Sequence, residues 1–457
     1  MSLIKKISLL FNQTKKTLII LNKSFKQMEQ IKFPTIPETI RKLKDDNTFE
    51  TQFDSLLHYD IIPKEDQDRQ IVNKIMKGDN SYCIDVKLSR AISVFVGSAI
   101  GDALGNQTDQ FPIDYKRDII KGFNCLDNLR SPRALYTDDT SLALCIADSF
   151  LCNQLKYSPS DIRHRFVLWW FESYNNGKSQ YFIEDNKGKQ EYMLSELKEN
   201  VKNELWNQFS FGIGITTFNN FIDFVQNPSK TRIKEFYGDQ NSNGSLMRLS
   251  PIPILYHDNI KEAAEIAFQQ SLLTNDGQEA AECCQLLSYI IAKIINIENK
   301  ALSPKQILDL TCEEACKDLM LETSVLFIAK SMQENSLQKN NYNQCEADRN
   351  WNWKDINFKY SPTRSEKSPT GIGGYSMDAL AMSLHINYHS ERFSQVVCRA
   401  ANLGGDSDTV GCISGMLAGA IYGLSKDLIE YHQQIYPSEQ NSTAIRAYKL
   451  FNKTPIS

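Results

Sequence analysis

The residues best suited to chemistry form two acidic clusters, at positions 137–140 (Thr-Asp-Asp-Thr) and 404–409 (Gly-Gly-Asp-Ser-Asp-Thr). Together the clusters supply four carboxylates and several hydroxyls, and neither contains Cys or His. Oxygen donors of this kind suit a hard divalent cation such as Mg²⁺ or Mn²⁺ far better than Zn²⁺ or copper. If the fold brings the clusters together, the sequence predicts an oxygen-lined site for one or two metal ions.

Helix capping is the alternative explanation for both clusters. Each cluster precedes an apolar helical pattern, and Thr and Asp are favoured at helix N-termini. One Asp satisfies that need, whereas Asp138 and Asp139 are adjacent and their mutual repulsion favours a cation. In the second cluster, an extended segment 406–408 would turn both carboxylates to one side, and Thr409 adds a hydroxyl where the next helix begins. On the residues alone, both interpretations stay open.

A third segment, residues 97–105, repeats glycine at every fourth position (Gly-Ser-Ala-Ile-Gly-Asp-Ala-Leu-Gly). Each glycine costs a helix about 1 kcal/mol, so a compensating contact is needed. Close packing against the matching glycines of residues 411–419 would supply it. Asp102 lies in this apolar helix, where an Asp is more often a structural hydrogen-bond partner than a catalyst. Asp109, shortly after the helix, is the acid that we place near the site.

Three glycine-containing loops are candidates for holding an anion. Residues 243–247 (Asn-Gly-Ser-Leu-Met) open on a turn, and successive backbone amides of a turn can cradle a phosphate. Residues 211–217 and 371–375 are similarly flexible. None of the three matches the Walker or Rossmann fingerprint. The histidines show no metal-ligand pairing, and no Ser or Cys nucleophile motif stands out.

Helical patterns dominate the chain from Leu88 onward, because apolar residues recur at three- and four-residue steps and prolines lie at or between the windows. The predicted helices span residues 89–104, 140–155, 160–174, 260–273, 277–297, 303–318, 321–332, 376–386, 394–402, 409–424 and 428–435. Strand signals are scarce. The sequence therefore predicts one large all-α, multi-helix domain over residues 81–457.

Two polar segments need a separate interpretation. Residues 1–80 are predicted to be an N-terminal extension, partly helical or disordered. Residues 334–369 include Trp351 and Trp353, and loops of this length are usually functional lids or disordered insertions. The sequence does not choose between those two.

Composition excludes several classes of protein. A net charge of −4 and a pI near 6.0 argue against a nucleic-acid partner. No segment has the roughly 20 apolar residues that span a bilayer, so no membrane is expected. Eleven cysteines without a CxxC pair indicate reduced thiols inside a cell. The first 27 residues hold six lysines and no acid, which favours a basic extension of a cytoplasmic protein. The alternative is a mitochondrial transit peptide, although such segments prefer Arg.

Four motifs occur in order: residues 101–105 (Gly-Asp-Ala-Leu-Gly), 137–140, 243–248 (Asn-Gly-Ser-Leu-Met-Arg) and 404–409. Together they resemble the ADP-ribosylglycohydrolase family, which includes the dinitrogenase-reductase-activating glycohydrolases. The resemblance runs from about residue 90 to residue 448. It implies an all-α fold with a binuclear Mg²⁺ or Mn²⁺ centre. In such enzymes the metals engage the distal ribose of ADP-ribose and help to cleave its C1″ bond to a protein side chain.

The resemblance also implies roles for individual residues. The metal ligands would be Thr137, Asp138, Asp139, Asp406, Asp408 and Thr409. Catalytic roles fall to Asp109 and Asp139. Substrate-binding residues would be Asp102, Gly212, Gly214, Asn243, Gly244, Ser245, Met247, Gly374 and Tyr375.

Two positions depart from the family pattern. Asp109 stands where members usually have Glu, so the carboxylate is kept but shortened by one methylene. Asn275 follows Thr274 where relatives often have Thr-His, which we interpret as a change in the pocket wall.

The sequence therefore predicts a metal-dependent hydrolase, with two Mg²⁺ or Mn²⁺ ions, that removes ADP-ribose from modified protein side chains. One alternative is a non-catalytic ADP-ribose-binding relative, which the shortened acid at Asp109 leaves open. The other is a hydrolase of a free ADP-ribose derivative such as an O-acyl ester. We expect a monomer. The acceptor residue, Arg, Ser or another, stays open because acceptor contacts come from variable loops.

Overall fold

The fold comes from a computed structural model. It describes residues 61–78, 85–123, 134–172, 175, 212–214, 216–217, 220–221, 241–299, 301–334, 349–436 and 441–456. Within these ranges the chain forms fifteen α-helices and one pair of two-residue strands, which confirms the predicted all-α class.

The elements are numbered in chain order. The helices are α1 (Gln67–Met76), α2 (Val86–Gly105), α3 (Asp138–Cys152), α4 (Pro159–Glu172), α5 (Pro251–Leu255), α6 (Ile260–Ser271), α7 (Gln278–Ile295), α8 (Pro304–Asp318), α9 (Val325–Lys330), α10 (Pro362–Lys367), α11 (Ser376–Tyr388), α12 (Phe393–Leu403), α13 (Ser407–Tyr422), α14 (Lys426–His432) and α15 (Ser442–Phe451). Strand β1 (Ala134–Leu135) pairs in parallel with β2 (Ile435–Tyr436), in the register Ala134 to Ile435. A 3₁₀ turn spans Asn243–Ser245.

Each of the eleven predicted helical windows contains a helix, with ends shifted by a few residues. The windows missed α5, α10 and α15, and α1 lies in the N-terminal extension, which was predicted to be partly helical or disordered. Helix α5 is five residues long with proline at its start, a position where proline begins a helix and does not end one. Helix α10 is a short polar turn whose buried residue is Arg364. Such segments carry too little apolar periodicity to be recognised.

Helices α2 and α13 pack backbone to backbone in the core. A Cβ added to Gly101 would overlap the carbonyl oxygen of Gly411, and one added to Gly415 would overlap the carbonyl oxygen of Gly97. One turn further, a Cβ on Gly105 would overlap the carbonyl oxygen of Ser407. The predicted packing of the two glycine stripes is confirmed. Around this pair, α13 also packs against α11 and α12, and α2 against α15.

Among the described helices, α2 is long and apolar enough to cross a membrane by length and composition. However, 89% of its apolar window is buried inside the protein, as it is in the core helix of a globular domain.

The end of the predicted N-terminal extension packs onto the helical domain. Helix α1 places Val72 and Met76 in the core. Lys449 of α15 forms ion pairs with Asp66 and Asp68, each at 2.8 Å. Residues 1–60 lie outside the described part of the chain.

The tryptophans of the polar segment 334–369 are core residues. Trp351 and Trp353 are both fully buried, and Trp353 donates its indole N–H to the Ile328 carbonyl at 2.6 Å. Residues 349–369 are therefore neither a lid nor a disordered insertion. Residues 335–348 lie outside the described part.

Replacing Gly101 by Ala tests the contact between α2 and α13. Alanine gains about 1 kcal/mol of helix propensity, but its methyl group cannot fit against the Gly411 backbone. We expect a net loss of about 1–3 kcal/mol in the free energy of unfolding, measured by chemical denaturation. Gly214→Ala is the control, because no atom of the described residues lies within 4 Å of its added Cβ. Equal stability of the two variants would contradict the proposed packing.

Candidate metal centre and substrate cavity

Both acidic clusters lie at helix N-termini, as predicted, but their side chains do not cap the helices. Thr137 is the N-cap residue of α3 and Asp406 that of α13, and neither side chain makes a capping hydrogen bond. Capping therefore does not account for the clusters. The prediction of an extended 406–408 segment is wrong, because Ser407 and Asp408 form the first turn of α13.

The clusters meet in a cavity of about 510 Å³. Its wall contains Asp109, Gln110, Asp138, Asp139, Gly212, Ile213, Gly214, Thr216, Thr217, Ser242, Asn243, Gly244, Met247, Gly374, Asp406, Asp408 and Thr409. Asp109, Asp406 and Asp408 each offer a carboxylate oxygen, and the three oxygens lie within 4.8 Å of one another. The structure thus assembles five carboxylates from three distant parts of the chain around one space.

Asp102 supports the site from behind its wall. Its fully buried carboxylate accepts hydrogen bonds from the backbone N–H and hydroxyl of Thr137 and from those of Thr140, at 2.6 to 3.1 Å. Burial raises the pKa of Asp102 to about 6, against the lowering effect of these bonds. Asp102 does not line the cavity where substrate binding was predicted. Instead it fixes the first turn of α3 against α2.

Three carboxylates at the cavity, those of Asp138, Asp139 and Asp408, have no ion-pair partner among the described residues. Burial, together with neighbouring carboxylates, raises the pKa of Asp138, Asp139 and Asp408 well above the usual range. Asp139 accepts a hydrogen bond on Oδ2 from Thr137 at 3.0 Å, whereas its buried Oδ1 has no hydrogen-bond partner in the part of the chain that the structure describes.

A hard divalent cation fits this arrangement. The donors are carboxylate and hydroxyl oxygens, the ligands that Mg²⁺ and Mn²⁺ prefer. Bound cations would also offset the charge that burial and mutual repulsion make costly. Of the six predicted metal ligands, five line the cavity: Asp138, Asp139, Asp406, Asp408 and Thr409. Thr137 is not among the lining residues and donates its hydroxyl to Asp139.

A glycine turn brings Asp109 to the cluster. Gly404 and Gly405 have φ angles of +76° and +66°, which side-chain-bearing residues rarely adopt. The Gly405 amide donates to the Phe111 carbonyl at 2.7 Å, and the Gln110 amide donates to the Gly405 carbonyl at 2.9 Å. These reciprocal bonds hold the segment that carries Asp109 beside Asp406.

Asn243 connects two of the predicted ligand loops to the second acidic cluster. Its side-chain amide donates to Asp406 Oδ2 at 2.8 Å and to the Gly373 carbonyl at 2.9 Å. Its backbone amide donates to the Gly374 carbonyl at 3.0 Å. In the third loop, a Cβ on Gly212 would overlap Asp138 Oδ1. All three loops therefore pack against the acidic residues.

Not every predicted contact residue reaches the cavity. Gly212, Gly214, Asn243, Gly244, Met247 and Gly374 line it. Ser245 is fully buried and bonds the Ser271 hydroxyl at 2.7 Å. The Tyr375 hydroxyl donates to Glu279 and accepts from Arg349. These two lie behind the wall and support the loops.

Asn275 has a similar supporting role. Its side-chain amide donates to the carbonyl and hydroxyl oxygens of Ser242, each at 2.9 Å. Ser242 lines the cavity and Asn275 does not. The departure from the family's Thr-His pattern therefore lies behind Ser242 and does not face the cavity directly.

No role was predicted for Gln110, which lines the cavity, or for Arg248, which is buried and does not line it. Gln110 lines the cavity with φ +62°, and its side-chain amide donates to Asp109 Oδ1 at 3.1 Å. Arg248 is fully buried, lies 4.5 Å from the Phe166 ring centre and donates to Thr274 at 2.8 Å. The available signals were adjacency to Asp109 for Gln110 and, for Arg248, a place in the motif of residues 243–248.

Residues 84–454 match the family model described as ADP-ribosylglycohydrolase. The chain belongs to the ADP-ribosylglycohydrolase family. This match covers the helical domain and all four motifs, and it confirms the resemblance deduced from them.

Individual relatives extend over most of the chain. It is 25% identical to "ADP-ribosylarginine hydrolase Tri1" of Pseudomonas putida (strain GB-1), over 80% of this chain and 79% of that protein. It is 22% identical to "ADP-ribosylhydrolase ARH3" of Danio rerio, over 80% of this chain and 91% of that protein. A shorter match, 34% identical over 67 residues, is to "ADP-ribosyl-[dinitrogen reductase] glycohydrolase" of Rhodospirillum rubrum. It covers 15% of this chain and 21% of that protein.

A solved structure described as an "ADP-ribosylglycohydrolase-related protein complex" has the same fold. The TM-score is 0.53 at 21% identity, over 80% of this chain and 99% of that one.

Replacing Asp139 by Asn tests the charge conflict in metal-free protein. A carboxyl whose pKa is raised by folding stabilises the fold fully below its unfolded-state pKa, near 4, and that stability is lost as pH rises through the folded-state value. In EDTA we therefore expect Asp139→Asn to raise the melting temperature at pH 8, with a much smaller effect at pH 5. Excess Mn²⁺ should reverse the order at pH 8 by stabilising the wild type. An Asn variant less stable than wild type in EDTA at pH 8 would refute the charge conflict.

Proposed function

We propose that this protein is a divalent-metal-dependent hydrolase that releases ADP-ribose from modified protein side chains by cleaving the C1″ glycosidic bond. The observation that carries the proposal is the convergence of Asp109, Asp138, Asp139, Asp406 and Asp408 on one cavity, where the buried Asp139 Oδ1 accepts no hydrogen bond from any residue that the structure describes. Family membership supports the reaction class.

Metal ions held by Asp138, Asp139, Asp406, Asp408 and Thr409 would supply positive charge that polarises the ribose hydroxyls and a water molecule. That positive charge would offset the negative charge of the buried carboxylates described above. Two Mg²⁺ or Mn²⁺ ions are the proposed cofactors, since the ligand set divides between two helix N-termini.

Asp109 is the proposed general base. It lies at the cavity on the segment fixed by the glycine turn, and Gln110 orients its carboxylate. The water oxygen would bond to C1″ as the bond from C1″ to the acceptor atom breaks, through an oxocarbenium-like transition state. The water's proton would pass to Asp109 and then to the leaving group, so that the carboxylate is regenerated.

The loops around residues 212–217 and 243–247 are proposed to bind the diphosphate and adenosine. The backbone amides of Asn243, Leu246 and Met247 are already donated within the protein. We therefore assign anion binding to the amide of Gly244, which lines the cavity, because the first amides of a helical turn lack internal acceptors. Gly212 and Gly214, both exposed at the cavity, extend the same wall.

Arginine is the acceptor that we would test first. The relatives from Pseudomonas putida and Serratia proteamaculans, each covering about 80% of this chain, are both named ADP-ribosylarginine hydrolases. Their similarity is the support for this choice, and the described cavity wall has no feature specific to guanidine.

Metal dependence is tested by ADP-ribose release from arginine-modified protein, with and without EDTA. We expect EDTA to abolish release and excess Mg²⁺ or Mn²⁺ to restore it. Serine-modified protein and a free O-acyl ADP-ribose ester are parallel substrates that separate the acceptor classes. Release that persists in EDTA, or no release from any substrate, would contradict the proposal. Calorimetric binding of ADP-ribose without turnover would indicate a non-catalytic relative.

Asp109→Asn tests the general base. Loss of a positioned base should lower kcat about 10²- to 10⁴-fold, measured by initial rates at saturating substrate. Asp109→Glu is the matched control, because it keeps the carboxylate and restores the length usual in the family, and it should retain activity. Wild-type kcat in Asp109→Asn would exclude Asp109 as the base.

A further inference from the structure

A second cavity, of about 650 Å³, lies beside residues 114–121 and helix α12. It shares no lining residue with the catalytic cavity. Its volume lies within the range of small-molecule sites, about 300–1,000 Å³. None of its lining residues is used by the proposed hydrolysis, so its chemistry can be considered separately.

One edge of this second cavity is cationic. Its lining includes four cationic side chains, of Arg117, Lys121, Arg392 and Arg399, against the carboxylates of Asp114 and Asp118. Lys121 pairs with Asp118 at 3.5 Å. The three arginines form no ion pair with any carboxylate in the described ranges, so their charge is available to a ligand.

Neutral groups hold Arg117 and Arg399 in place. Arg117 donates to the carbonyls of Pro112, at 2.7 Å, and Asn402, at 3.2 Å. Arg399 donates to the Ser390 hydroxyl at 3.1 Å and to the His389 carbonyl. Arg392 is the N-cap residue of α12 and Arg399 lies within the helix, and both line this cavity. Guanidinium groups oriented in this way suit a phosphate, whose oxygens accept paired hydrogen bonds.

Another part of the lining combines apolar side chains with two histidines that offer hydrogen-bond acceptors. Phe358, Met382 and Ile386 are buried side chains on this wall. His385 donates from Nδ1 to the Trp353 carbonyl at 2.9 Å, and burial lowers its pKa to about 4. The ring is therefore neutral at physiological pH, and Nε2 carries a lone pair. His389, bonded through Nε2 to the Lys354 carbonyl at 3.1 Å, likewise has Nδ1 as an acceptor.

We propose that this second cavity binds a small aromatic phosphate of the nucleoside monophosphate class. The phosphate would lie at the edge formed by Arg117, Arg392 and Arg399, and the planar ring over the wall of Phe358 and Met382. Ring N–H or ribose O–H groups would donate to the two histidines. The inference does not depend on the hydrolase proposal, because the two cavities have separate walls.

Calorimetric titration of the full chain with uridine 5′-monophosphate in EDTA tests the site. Its pyrimidine is not part of ADP-ribose, and EDTA removes metal-bound phosphate at the catalytic centre. We expect saturable binding that weakens at least tenfold in the double variant R392Q/R399Q. The control K261Q/K317Q removes the same charge from exposed lysines outside both cavities and should bind like wild type. Uridine without phosphate should bind at least tenfold more weakly.

Hydrogen–deuterium exchange locates the ligand without any substitution. We expect uridine 5′-monophosphate to protect residues 114–121 and 392–402 in the wild-type protein. No saturable binding at millimolar ligand would overturn the proposal. So would equal affinity for uridine, equal loss in both double variants, or protection confined to residues 212–217 and 243–247.

Discussion

At three successive turns of the contact between α2 and α13, a glycine of one helix lies against the backbone of the other helix. The two backbones are so close that a Cβ on the glycine would not fit. This contact fixes the site from both sides. Helix α2 carries Asp102, which holds Thr137 and Thr140 at the start of α3. Helix α13 begins at the second acidic cluster. By packing α2 closely against α13, the glycines bring the N-termini of α3 and α13 to the same cavity.

Packing of this kind creates an electrostatic conflict. Burial and neighbouring carboxylates raise the pKa of Asp138, Asp139 and Asp408, and within the described ranges one oxygen of Asp139 has no hydrogen-bond partner. A fold that only had to be stable would place apolar or neutral side chains there. Divalent cations would resolve the conflict, and in the proposed function their charge would also assist cleavage of a glycosidic bond. Structure and proposed function thus rest on the same uncompensated carboxylates.

The sequence predicted the fold class and much of the site because both depend on short-range patterns. Three- and four-residue periodicity located the long helices, and glycines at every fourth position of residues 97–105 indicated a close helix contact. Long-range geometry was not predictable in the same way. The position of Gln110 beside Asp109 depends on reciprocal bonds to Gly405, nearly three hundred residues away. Ser245 and Tyr375 were assigned to the cavity, although their side chains bond Ser271 and Glu279 behind it, because a loop's sequence does not reveal which of its side chains turn inward.

The most direct test of this account is a crystal structure of the protein grown with Mn²⁺, with anomalous diffraction used to locate the metal. The account predicts anomalous peaks between the N-termini of α3 and α13, coordinated by Asp138, Asp139, Asp406 and Asp408, with Asp139 Oδ1 as a ligand. A cavity without anomalous density at saturating Mn²⁺, or manganese bound only elsewhere, would contradict it.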